Sequence, residues 1–191
     1  MLRRVKLVVV AVIMVVLAYT LYECLRFYPR AYHCELNVEN IAMAMRMYAA
    51  DWDECLPDPD HWVDQVGPEY VGNMAVFKCP ADKSGARSSY GMNRVLAGLR
   101  AYEIANPDDL VSVYETAHPR DNPSGGPEDV ADPPRHPGWK YPSPRWYRGN
   151  MYGYVSGKLW PNEEWEQPHR TTFEPKLWSP DEVHPRAVRG G

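Results

Sequence analysis

The chain has 191 residues, enough for one domain and an appendage. Its net charge is −4, but Arg3, Arg4 and Lys6 lie in the first six residues, so the remainder carries 18 basic against 25 acidic groups. An acidic body argues against nucleic-acid binding, which wants a basic face. The 19 prolines and 13 glycines, with 13 Tyr and seven Trp against three Phe, point to a loop-rich domain packed on amphipathic aromatics.

The N-terminus opens with "MLRRVKLVVVAVIMVVLAYTLYECL", a basic start followed by an uncharged apolar run from Leu7 to Tyr22. The run is slightly short for a bilayer span. Leu2 and Val5 extend it on one side, with snorkelling Arg and Lys, and Leu25 and Phe27 on the other. Positive charge before the run places the N-terminus in the cytoplasm and the rest outside. The expectation is a single-pass cell-membrane anchor with an extracytoplasmic C-terminal domain. A signal peptide cleaved after Val16-Leu17-Ala18 is the rival. "LYEC" is a poor lipoprotein box, because Glu23 stands where a small residue is wanted.

Next comes "PRAYHCELNVENIAMAMRMYAADWDE". Cys34, Val38, Ile41, Met45, Tyr48 and Trp52 recur at steps of four and three, which predicts one apolar stripe on a helix. Glu35, Asn37, Glu39, Asn40 and Arg46 fall opposite, as a solvated face. Pro29 sits between the two helical patterns and predicts a kink or a new start. The first fifty or so residues thus read as one long, broken helix, half in lipid and half in a domain core, ended by "LPDPD". Strands are expected at Ala75–Lys78 and Leu110–Glu115. Gly149–Trp160 reads as a hairpin turning at Ser156-Gly157. The Pro- and Gly-rich segment after Glu115 reads as a long surface loop, and the tail after Trp160 as irregular. The predicted organisation is residues 1–28 as basic start and anchor, 29–160 as the extracytoplasmic domain and 161–191 as a Pro-rich tail.

The ordered set "CELNVENIAMAMRMYAADWDECLPD", a Trp, "FKCPAD", "SYGMN", "RH" and "GNMYGYVSGKLW" resembles type IV pilin-like and type II secretion pseudopilin-like proteins with a prepilin-type N-terminal helix. The resemblance runs from about Cys34 to Trp160. It implies an α+β fold in which a long N-terminal helix packs on a small antiparallel sheet with long Pro-rich loops. It also implies a non-enzymatic, membrane-anchored subunit of a secretion or filament apparatus, whose partners are the membrane and other pilin-like subunits. Three departures stand out. The prepilin peptidase site, a Gly followed by Phe-Thr-x-x-Glu, is absent. The Asp-Gly of the terminal hairpin is Ser156-Gly157, and the Gly after the helix's second Asp is Glu54, followed by Cys55.

Four cysteines facing an oxidising compartment pair more readily than they bind metal. None forms Cys-x-x-Cys and no histidine stands at zinc spacing from a cysteine pair, so no metal site is expected. The resemblance implies a Cys34–Cys79 disulfide, closing a loop of about 45 residues worth about 3–4 kcal/mol of chain entropy. Two unpaired buried cysteines remain the alternative. The acidic run "DWDECLPDPD" lacks the spacing of a calcium loop and reads as a solvated helix end. The six histidines are scattered, and Arg135-His136 reads as a structural pair that caps loop carbonyls near the final hairpin. No nucleophile elbow, metalloprotease motif or cofactor signature occurs. Trp139, Tyr141, Trp146, Tyr147 and Tyr152 offer a rival reading, a membrane-tethered module that recognises carbohydrate or protein through an aromatic loop.

Overall fold

A computed structural model describes residues 2–136, 150–157 and 178–179. One α-helix, α1, runs from Leu2 to Asp51. It passes through position 29 without a break, so no new helix starts there. An interior proline removes one backbone donor and crowds the carbonyl one turn earlier, a local cost that the helical bonds on either side of it can carry in so long a helix. The segment Val5–Tyr22 is long and apolar enough to cross a membrane, and none of it is buried. The C-terminal half of α1 is instead the spine of an α+β domain.

The predicted stripe is the buried face: Cys34, Val38, Ile41, Met45 and Tyr48 are all buried. Two residues depart from the reading. Glu35, on the side expected to be polar, is buried, whereas Trp52 is exposed. Trp52 follows the last helical residue and stacks flat on Tyr48, with ring centroids 5.6 Å apart. Asp53 and Glu54 then take left-handed backbone angles, φ 51° and 62°, which turn the chain away.

After a short helix α2, Trp62–Val66, and a single π-helical turn, Ala75–Lys78 forms most of a 3-10 turn, Met74–Phe77, rather than the expected strand. The Asn73 side chain accepts from the Ala75 N–H and so caps that turn. The sheet holds β1 (Ser88–Asn93), β2 (Val111–Arg120), β3 (Ser124–Gly125) and β4 (Tyr152–Tyr154) in the order β3-β1-β2-β4. β2 is antiparallel to β1 and to β4, but β3 is parallel to β1, so the sheet is mixed rather than antiparallel. That two-residue edge strand lies inside the Pro- and Gly-rich segment, where no strand pattern is readable.

α1 lies across the sheet, with Val38, Ile41 and Met45 in one core with Trp62, Phe77, Tyr90, Met92 and Val113. Close approach is possible because Gly153 stands beneath the helix. A Cβ there would fall 2.8 Å from the Ala42 Cβ and 2.7 Å from a Val113 methyl. At the expected turn, Gly157 has φ 83° and its N–H reaches the Tyr154 carbonyl at 2.9 Å.

Candidate functional site: a buried Cys-Cys-Glu-His cluster

Where the helix first enters the core, four titratable side chains from distant segments meet. Cys34 comes from α1, Cys79 from the Cys-Pro-Ala-Asp turn, Glu115 from β2 and His136 from the segment between β3 and β4. Their ligand atoms all lie within 4.8 Å of one another. The two cysteines and Glu115 are fully buried, and His136 is 4% exposed.

Local structure aims each group. Glu115 shares the helix-facing side of β2 with Val113, two residues earlier, as strand alternation requires. The Met151 N–H donates to its Oε2 at 2.9 Å, leaving Oε1 directed into the cluster. Cys34 Sγ donates to that Oε1 at 3.1 Å and lies 2.9 Å from the Tyr90 hydroxyl. Cys79 is presented by a turn in which the Asp82 N–H reaches the Cys79 carbonyl at 2.9 Å and the Cys79 N–H reaches Ser89 Oγ at 3.1 Å. Arg135 bonds the carbonyls of Ser89 on β1 and Thr116 on β2, which fixes the chain just before His136. His136 Nε2 is 3.3 Å from Cys79 Sγ and 3.2 Å from Glu115 Oε1.

The electrostatics follow from this packing. The bond from Cys34 outweighs burial and, with His136, brings the Cys79 thiol down to about 6. Burial pushes the Cys34 thiol strongly up, reinforced by Cys79 and by the Glu115 charge. Burial also opposes charge on Glu115 and on His136, but their mutual attraction and their sulfur contacts prevail. Glu115 is held below the usual carboxylate range, and His136 is raised to about 9.

This is not a nucleophile–base–orienter relay. Such a relay uses the two nitrogens of the imidazole separately, one for the nucleophile and one for the carboxylate. Here Cys79 and Glu115 both face Nε2, and no member is open to a substrate. The arrangement suits groups that converge on a common centre.

Cys34 and Cys79, the pair expected to form a disulfide, are thus brought together with their sulfurs within 4.8 Å, and in this structure both are free thiols. Besides facing each other, Cys34 contacts Glu115 and Tyr90, and Cys79 contacts His136. Sequence reading missed Glu115 and His136 as their neighbours, because no spacing signal links the four positions. The one available clue was a lone carboxylate in the otherwise uncharged run "LVSVYE".

Trp139, Tyr141, Trp146 and Tyr147 lie outside the described residues. Tyr152 is half-buried on β4 and packs edge-on to Trp178, with centroids 6.4 Å apart. Acids of the run after α1 are spread among exposed ion pairs, Asp58 with His61, Asp60 with Arg94 and Asp64 with Arg87. No family model, curated protein or solved structure matches this chain.

Proposed function

We propose that the protein is a non-enzymatic, membrane-anchored, pilin-like subunit of a secretion or filament apparatus, with its domain outside the cytoplasm. The observation that carries this reading is the continuity of α1. One 50-residue helix has its first half bare and apolar and its second half built into the domain core. Exposed Val, Leu and Ile side chains repeat on every face from Val5 to Leu17. In water such a surface would aggregate, whereas lipid covers it. A helix that is both anchor and spine rigidly couples the domain to the bilayer. Such a geometry presents the domain to neighbours confined to the same membrane, where confinement raises effective concentration without new contacts.

The basic residues set directly against the apolar run, with the first acid at Glu23, favour a chain that keeps its N-terminus and associates weakly. Beyond the membrane, α1 still exposes Met43 and Met47, one turn apart and each 50% exposed. A photo-crosslinking residue at Met47 in cells is expected to capture other pilin-like or secretion-system membrane subunits. Crosslinks only to polysaccharide, or none above background, would contradict the assignment and favour the recognition module.

A further inference from the structure

We propose that Cys34, Cys79, Glu115 and His136 form a structural site for one thiophilic divalent cation, zinc in the first instance. Nothing in the tether reading requires such a site, and the cluster stands on its own geometry.

The donor set comes first. Two sulfurs, one imidazole nitrogen and one carboxylate oxygen are ligand types that zinc accepts in tetrahedral sites. Zinc bonds of about 2.3 Å to sulfur and 2.0–2.2 Å to nitrogen or oxygen give tetrahedral edges of about 3.3–3.8 Å. Three of the six edges in the cluster measure 3.1, 3.2 and 3.3 Å, and all six lie within 4.8 Å. The cluster therefore needs only small movements to close on a cation.

Charge makes the second argument. A buried carboxylate and imidazole are costly unless good hydrogen-bonding partners satisfy them. Glu115 Oε2 has such a partner in the Met151 N–H. Glu115 Oε1 and His136 Nε2, however, turn to each other and to sulfur, which is a weak hydrogen-bonding group. A cation at the centre satisfies all four inward atoms at once. Two thiolates and a carboxylate around a divalent ion leave a single formal negative charge in the core. The protons of the ligating groups pass to solvent as the metal binds.

The surroundings match the outer shell of a metal centre. Such shells orient ligands by hydrogen bonds to their remaining atoms. Met151 does so for Glu115, Ser89 fixes the Cys79 backbone, and the Tyr90 hydroxyl lies against Cys34. Asn37 in turn donates to that hydroxyl at 3.4 Å. With four protein ligands and no exposed member the site is closed, which marks a structural rather than a catalytic metal. It would pin together α1, the Cys-Pro-Ala-Asp turn, the sheet and the segment that carries His136, about 18 Å along the helix from Tyr22.

The test uses the full chain, extracted in detergent and purified anaerobically without chelator. Elemental analysis is expected to find about one zinc per chain, as a closed four-ligand site binds. After chelation under reducing conditions, titrated Co2+ should give the visible bands of tetrahedral cobalt with a near-ultraviolet thiolate charge-transfer band. Cys79→Ser should remove the charge-transfer intensity of one thiolate. Glu115→Gln, which keeps an acceptor for Met151, should weaken Co2+ uptake at least tenfold, whereas Cys55→Ser should leave it unchanged. The wild-type spectrum itself does not depend on any variant folding. A chain with metal at background and Cys34 joined to Cys79 would overturn the proposal. So would six-coordinate cobalt without thiolate bands, or uptake indifferent to Cys79→Ser and Glu115→Gln.

Discussion

Replacing Asp82 by Asn should loosen the corner that presents Cys79. The Asp82 carboxylate receives Lys78 Nζ at 2.9 Å, the Ser84 N–H at 2.8 Å, the Ser84 hydroxyl at 3.0 Å and the Ser89 hydroxyl. Its side chain is 6% exposed. Partial burial alone would raise its pKa, but Lys78, Ser89 and Ser84 together hold it far below the ordinary value of 3.8. Asparagine keeps one acceptor oxygen and turns an amide donor toward groups that are themselves donors. A charge-assisted bond is worth about 1.5–3 kcal/mol. The lysine is exposed enough to recover water, so about 2 kcal/mol in all is expected at neutral pH. The pH dependence gives the reasoning a second signature. Because the folded-state pKa lies below the unfolded one, the unfolded chain takes up the proton first. The contribution is complete above the ordinary value and disappears as pH falls through the folded value. Urea unfolding of the detergent-solubilised chain, followed by near-ultraviolet circular dichroism of the buried Trp62, reads both. The variant should be about 2 kcal/mol weaker near neutral pH, and the gap should narrow below pH 3.8. A gap under about 0.5 kcal/mol, of the size of an ordinary surface change, or one independent of pH, would refute the argument.

Other substitutions test the packing. Ile41→Ala, removing a fully buried side chain from the helix–sheet core, should cost about 2–5 kcal/mol in the same assay, while exposed Glu39→Ala should change stability by less than about 0.5 kcal/mol. Gly153→Ala should cost about 1–3 kcal/mol, because the new methyl meets Ala42 and Val113 under 3 Å away. Glu54→Gly should stabilise the domain by up to about 1 kcal/mol in thermal unfolding, since a non-glycine residue now occupies a backbone angle of φ 62°. Replacing both Cys34 and Cys79 by Ala should lower the melting temperature, and Cys55→Ser, at a half-buried position, should leave it nearly unchanged.

The helix spine was legible because its signal is local. Cys34, Val38, Ile41, Met45 and Tyr48 recur at the helical period, and all are buried. The stripe failed only at its last member, because the helix stops at Asp51 and Trp52 packs on the end of the helix instead. The sheet was harder. "SSYGMN" is rich in turn-forming residues and nevertheless is β1, which pairs with β2 on one side and β3 on the other. Its Gly91 is favoured there because a Cβ would fall 2.9 Å from the Tyr114 ring, a cross-strand contact that no one-dimensional pattern reveals. Ala75–Lys78 carried strand composition, but the Asn73 cap and the tight turn decided its conformation. The Cys-Cys-Glu-His cluster was least legible. Its members are separated by 45, 36 and 21 positions along the chain, and tertiary packing alone brings them together.

The central claim is that α1 is at once membrane anchor and domain spine, and intact mass of the chain recovered from membranes tests it most directly. A detergent-extracted species that retains residues 1–6, and therefore the whole of α1, is expected. A mature chain beginning at Val5 or Leu7 with a methylated amine would contradict the expectation that the N-terminus is kept. A soluble species lacking everything through Ala18 would contradict the anchor itself.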